Sequence, residues 1–196
     1  IKAKAWADDY EPSYVATAVY IFPIVVQDLV ELRQQSADNS TVYHLPNNVV
    51  LTFKQSNRNQ KFVQDGQAAI LIDDQPGVIT TNYQIGDAIA GLTGKLTMYY
   101  ETLQFIPTLD PGAPVSSGND VYIPTVTIAQ LNGDVGVNTY QSRLVHINDV
   151  HFDSPSGNYA TNPAVNYAIS DATGAMTFRT SFYDVDYIGT PMHQGD

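Results

Sequence analysis

Carboxylate pairs are the first chemistry that the sequence offers. Asp8/Asp9, Asp73/Asp74 and Asp184/Asp186 each set two acids within two residues of one another. Residues i and i+2 share one face of a strand, so Asp184 and Asp186, joined by Asp153, would make an oxygen-rich calcium site. The chain holds no D-x-D-x-D-G loop to sharpen that reading, and the competing one takes these acids as solvated turn residues. The histidines gather in "HINDVHF" (His146–Phe152). Their separation is odd, so in a regular strand His146 and His151 point to opposite faces and cannot share a metal without a bulge. Asp149 and His151 do share a face, with no third ligand in view, and a half-exposed surface histidine is the plainer reading. His44 and His193 are isolated. Nucleophilic catalysis finds no support: there is no cysteine, no G-x-S-x-G and no serine in a recognisable elbow. "IAGLTGKL" lacks the G-K-[ST] of a phosphate loop. The chain is therefore expected not to be an enzyme.

One stretch is both basic and aromatic. "FKQSNRNQKF" carries Phe53, Lys54, Arg58, Lys61 and Phe62, a combination able to stack on bases or sugars and to meet phosphates. Against it stands the rest of the chain, whose net charge is −11, with 17 Asp and 3 Glu facing 9 Lys plus Arg. Such a body repels a phosphate backbone, so nucleic acid is not an expected partner. The exposed-type tyrosines Tyr99, Tyr100, Tyr122 and Tyr183 are better suited to stacking on sugars or packing on other modules.

The elements that must hold these residues are mostly strands. Asp in excess of Glu, 13 Tyr and 24 Gly plus Pro describe a turn-rich β protein. Helical periodicity is clear only in Val25–Gln35, with a shorter candidate at Val126–Asn132. The apolar run Tyr14–Val26 is too short for a membrane span and contains Pro23; it reads as a buried strand. Asp110–Asp120, rich in Pro, Gly and Ser, is the expected boundary between two halves. Those halves repeat weakly. Each offers a helical piece, a Val-rich strand (Val49–Ser56; Arg143–Phe152), and a hairpin with an Asp turn (Lys61–Ile72; Asn166–Thr180). Each then has an aromatic-Ile-Gly step (Tyr83–Asp87; Asp186–Thr190). The first half continues with two more strands over Ala88–Pro107, where Gly91 and Gly94 point to a bulge.

Three strands, a connector and two strands fit a five-stranded Greek-key barrel of the OB type. The expected architecture is all-β, with two tandem OB-like barrels carrying one short helix each. The boundaries are an N-terminal extension over 1–24, a first barrel over 25–109, a linker over 110–120, and an incomplete second barrel over 121–196. By its own repeat the second barrel lacks two closing strands. The opening "IKAKAWADDYEP" alternates Ile1, Ala3 and Ala5 against Lys2, Lys4 and Trp6 and has the form of a closing strand. No leader precedes it, which reads as a processed secreted chain or an excised one.

The stretch Val42–Leu96, with "RNQKFVQD", "ILIDD" and "IGDAIAGLTG", resembles the tandem OB-fold modules of large secreted or surface proteins in bacteria using the type IX secretion route. The second half is similar more loosely, through "NYAISDATGAMTFRTSFYDVDYIGT". In that family the second module ends in a strand read roughly as I-x-A/P-R-S-x-x-D. The opening matches at Ile1, Ala3, Lys4, Ala5 and Asp8, with Lys4 standing where the pattern has Arg. The resemblance implies an architectural or accessory unit without catalysis. The resulting expectation is a secreted, cell-surface structural or adhesive protein. Its Ile1–Trp6 strand fills the unfinished barrel of another copy, a head-to-tail contact that propagates as a filament. The alternatives are insertion of that strand into its own chain, an excised fragment of a repeat array, or a carbohydrate- or nucleic-acid-binding accessory module of a secreted enzyme. No cofactor is expected beyond the calcium considered above.

Overall fold

The computed structural model describes residues 1–18, 20–134, 140–160 and 163–193. Its elements run β1 (Lys2–Ala3), β2 (Ala16–Thr17), β3 (Ile24–Val25), α1 (Leu29–Arg33), β4 (Val42–Leu45), β5 (Val49–Lys54), β6 (Lys61–Gln64), β7 (Ala69–Ile72), β8 (Ala88–Ile89), β9 (Leu92–Tyr99) and β10 (Thr102–Pro107). They continue with β11 (Thr125–Val126), α2 (Ile128–Asn132), β12 (His146–Ile147), β13 (His151–Phe152), β14 (Val165–Asp171) and β15 (Gly174–Thr180). The described chain is nearly all β, with two short helices and a short 3-10 turn at Asn57–Asn59.

In the first half the strands close on themselves. β5 pairs antiparallel with β6, and β6 with β7; β7 lies parallel to β10; β10 returns antiparallel to β9, which pairs with β4. β4 and β5 are successive parts of one bent strand, as are β8 and β9, and β5 also pairs with β8. The circuit is therefore first-second-third-fifth-fourth-first, an OB-type barrel. Alternation fills it. Along β9, Leu92, Gly94 and Leu96 turn inward while Thr93 and Lys95 turn out. Gly94 is needed where β10 crosses, because a Cβ there would lie 2.3 Å from the Ile106 carbonyl oxygen. The hydrophobic core gathers residues between Val26 and Phe105, and Tyr43, Tyr83 and Phe105 are its largest buried side chains. A fully buried Phe of this kind contributes about 1.5–3 kcal/mol. α1 is shorter than the Val25–Gln35 periodicity predicts. Ile24 and Val25 are taken into a parallel pairing with β4, and Asp28 caps the helix by accepting the Glu31 amide.

The second half repeats this plan up to its third strand. β11 lies parallel to β12 as β3 does to β4, and β13, β14 and β15 form an antiparallel sheet matching β5, β6 and β7. A shared device ties each helix to its hairpin. Asp65, in the β6–β7 turn, accepts the Leu29 amide at the start of α1 (2.9 Å) and the Gln67 and Ala68 amides of its own turn. Asp171, in the β14–β15 turn, accepts the Ile128 amide at the start of α2 (2.9 Å) and the Thr173 and Gly174 amides. The strand expected over Arg143–Phe152 is instead two short ones, broken at Asp149, whose φ of 53° turns the chain.

The segment 110–120 is not a loose tether. Asp110 accepts the Thr80 amide and hydroxyl and the Gly112 amide, and the bonds from Thr80 and Gly112 hold its carboxyl well below the usual carboxylate range. Val115 and Ser116 then bond Ala88 of the first barrel. No helix among the described residues is long and apolar enough to cross a membrane.

Two expectations about the N-terminus need correction. Tyr14–Val26 is not a buried strand: of its described residues only Val26 is buried, in the core of the first barrel. Tyr14 is 99% and Phe22 87% exposed, while Val19 lies outside the described residues. Strand-like apolarity marks a surface that wants cover, and the first barrel has no gap left to supply it. Nor does Ile1–Trp6 complete the second unit of its own chain. β1 pairs with β2, Lys2 opposite Thr17 and Ala3 opposite Ala16, a local contact whose loop is far cheaper to close than one spanning both units.

Candidate functional site

The N-terminal ribbon is held by its own main chain. Ile1 and Ala18 exchange two hydrogen bonds of 2.9 Å, and the Ser13 amide donates to the Ala5 carbonyl. Residues opposite one another share a face, which sorts the ribbon into two. Ile1 and Ala3 lie with Ala16 and Ala18 on an apolar face, and Lys2 lies with Thr17 on the other. Past Ala3 the register shifts, and the Ser13 hydroxyl oxygen also accepts the Ala5 amide. The Lys4 ammonium sits 5.6 Å from the Trp6 ring centroid. Every residue from Ile1 to Ala18 is exposed. This is a strand-forming segment with an apolar face and nothing packed on it.

The second unit presents a surface of the converse kind. Along β14 and β15, Tyr167 faces Phe178 and Ile169 faces Met176, so one side of the sheet is apolar. Phe152, Tyr159, Tyr167, Phe178 and Tyr187 form a continuous ring cluster with centroids 5.6–6.3 Å apart. These rings are only half-buried. Burial still pushes the Tyr187 hydroxyl above its ordinary pKa, with the Asp186 carboxylate adding to it. In the first barrel the matching strand β7 is covered along its outer edge by β10; among the described residues no strand pairs with the outer edge of β15.

Between the units lies a cleft of about 800 Å³. The expected ligand residues Phe53 and Phe62 are at its base, but Phe182 of the second unit packs onto both, at 4.8 and 5.4 Å between centroids. Gln141 fastens the other side. Its carbonyl accepts from Arg33 and from the Leu103 amide, and its amide donates to the Glu101 carbonyl. Arg143 donates to the Gly66 and Gln67 carbonyls and stacks over Tyr122.

The cations that accompany Phe53 and Phe62 in sequence are committed to structure. Lys54 donates to the Tyr83 carbonyl (2.5 Å) and to Asn82. Arg58, held with φ 54° in the 3-10 turn, grips Asp73 with two nitrogens, a bond that raises its pKa. Lys61 sits 3.7 Å from Asp74; burial lowers its pKa and the Asp74 charge opposes the shift. Asp73 and Asp74 are thus not solvated turn acids. They are buried (2% and 0% exposed) because Arg58 and Lys61 neutralise them and the Val78 and Ile79 amides donate to Asp74.

The proposed calcium ligands are not brought together. Asp153 accepts from Ser170, whereas Asp184 accepts the Ser56 amide of the first unit (2.5 Å), which depresses its pKa. Asp186 lies beside Tyr187. Among the described residues no group of three or more acids or histidines is placed to hold a metal ion. His151, Ser170 and Asp153 do meet, but in an unproductive order. The Ser170 hydroxyl donates to Asp153 and lies 3.1 Å from His151, so the acid does not orient the imidazole as a catalytic triad requires. His44 contacts Thr93. Sequence reasoning missed Phe182, Gln104 and Gln141. Nothing local marks them, since their role comes from one unit folding against the other.

No family model matches the chain, and no curated protein matches it. Among solved structures, that of the tetrameric p202 HIN2 is similar at 18% identity and a TM-score of 0.32, over 74% of this chain and 75% of that one. A likeness this loose decides nothing about function, and the all-β, OB-type assignment stands on the strand order of the chain itself.

Proposed function

We propose that the chain is a non-catalytic structural subunit that assembles head to tail, the N-terminal segment of one copy adding a strand to the second unit of the next. One observation carries this reading. The segment Ile1–Ala18 is exposed along its apolar face, while the outer edge of β15, beside half-buried rings, pairs with no strand among the described residues. Strand addition satisfies main-chain groups on both partners and covers both apolar faces. The first barrel supplies the pattern, for β10 runs parallel to β7 with Phe105 directed inward. By that pattern Ile1–Trp6 lies parallel to β15 with Ile1, Ala3 and Ala5 on the rings and Lys2, Lys4 and Trp6 outward. Such a contact is heterologous and does not close, so it propagates as a filament. The setting at a bacterial cell surface, and an adhesive use of the filament, follow from the resemblance to modules of type IX-secreted proteins and belong to the proposal.

Deletion of Ile1–Tyr10 is the test, read by electron microscopy and size-exclusion chromatography. The full chain is expected to form filaments and the deleted chain to stay monomeric, with the first barrel's near-UV spectrum unchanged. Normal assembly of the deleted chain would overturn the reading.

A further inference from the structure

The cleft between the units has a composition unlike the rest of the molecule. The chain carries 20 acids and 9 Lys plus Arg, yet none of the residues lining this cleft is Asp, Glu or Lys. Arg143 lines it with its two terminal nitrogens given to the Gln67 and Gly66 carbonyls and its Nε buried without a partner among the described residues. The remaining walls combine rings and apolar side chains with amides and hydroxyls. Gln104 is the informative member. It is 7% exposed, projects from β10 at the cleft, and its side-chain amide makes no hydrogen bond among the described residues. The amide is not one of the buried unpartnered polar atoms, so it meets the solvent of the cleft and is free to bond a ligand there. At the rim, Tyr99 is 61% exposed and stands edge-on to Tyr100 at 4.7 Å.

We propose that this cleft binds a neutral oligosaccharide, its ring faces stacked on Tyr99 and the Phe53–Phe62–Phe182 cluster and its hydroxyls bonded to the Gln104 amide. Sugars need this pairing of apolar ring surface with fixed amide donors and acceptors. A nucleic acid would need free cations, and the nearby ones are bound to Tyr83, Asp73 and Asp74. An extended peptide would need an open strand edge. The strands under the cleft have none, since β6 lies between β5 and β7, and β10 between β7 and β9. The inference is independent of head-to-tail assembly.

The test is calorimetry of the full chain against cellohexaose, maltohexaose and mannohexaose at millimolar concentration. At least one is expected to bind. Gln104→Leu, which keeps the volume and removes the amide, should weaken that sugar about tenfold or more, and Tyr99→Ala, on the exposed rim, should weaken it without touching the fold. Lys54→Ala should leave affinity unchanged. Absence of binding by all three sugars overturns the proposal, as does binding that survives both Gln104→Leu and Tyr99→Ala.

Discussion

Ile70 and Ile72 on β7 of the first unit are withdrawn from solvent, whereas Met176 and Phe178, at the equivalent places on β15, are only half-buried. The local plan is shared: the same order of strand, helix, strand and hairpin, and the same turn aspartate reaching a helix N-terminus. What differs is the pair β9 and β10, which gives the first sheet its last neighbours and covers its inner face. Hairpins and caps are thus satisfied by local sequence. A closed core is not, because inward side chains stay wet until strands arrive on both edges. An unfinished sheet of this sort is stable only when packed on something, and here the 181–184 segment and the Gln141–Arg143 loop fasten it to the first barrel.

The largest effect is expected from preventing the second sheet from gaining a strand. Lys2 and Thr17 face each other between two hydrogen-bonded pairs, a position where Cα atoms stand about 4.5 Å apart. That spacing accepts a disulfide, and the chain has no other cysteine. Oxidised Lys2→Cys/Thr17→Cys is expected to lose assembly altogether and to regain it on reduction, because the bond keeps the strand in its own ribbon. Oxidised protein that assembles like wild type would separate filament formation from the β15 edge.

A smaller effect compares the two cores. Phe105→Ala should destabilise the first barrel by about 3–5 kcal/mol in urea unfolding. Phe178→Ala should cost the free subunit clearly less, since its ring is already half wet, and should weaken assembly more than Phe105→Ala does. Equal losses in the free subunit would show that the second core is as complete as the first.

The smallest effect sharpens the likeness. Asp65→Ala is expected to cost about 1 kcal/mol by releasing the Leu29 amide at the start of α1 and the Gln67 and Ala68 amides of its own turn. Asp171 is held at about 2, chiefly by the Ile128 amide and then by the Thr173 hydroxyl, against an ordinary 3.8. A depressed carboxylate contributes fully above its unfolded pKa and loses that contribution as pH falls through its folded one. Hydrogen-exchange protection at Ile128, Thr173 and Gly174 should therefore be constant above about pH 4 and fall toward pH 2. Asp171→Asn should abolish that step. A step that persists in the variant would assign it to another group.

Much of the first barrel is legible in the order of its residues. "KFVQDGQAAILI" announces a hairpin through its alternation and its Asp–Gly turn, and Gly94 in "IAGLTGKL" signals an irregularity in its strand, which is the place where β10 crosses closely. The repeat is legible too, because each half needs the same turn chemistry at the same step. The site is harder to read. Phe53 and Phe62 do stand together on adjacent strands, but Phe182, 120 residues beyond Phe62, closes over them, and Arg58 and Lys61 turn inward to Asp73 and Asp74. Whether a cation meets solvent or a buried acid is decided by what the next hairpin brings opposite it.

Periodicity, turn residues and caps act over a few positions, so residue order alone determined the two hairpins and the presence of a short helix ahead of each. The helix starts, moved to Leu29 and Ile128, were set by strand pairing of the residues before them. Partnership acts over the whole chain. Tyr14–Val25 has the composition of a buried strand and lies largely exposed, while Asp73 and Asp74 have the composition of a turn and are buried. The physical reason is the same in both cases. Burial depends on whether a complementary surface is available when the chain has closed, and that is settled by tertiary packing and not by the residues' own preferences.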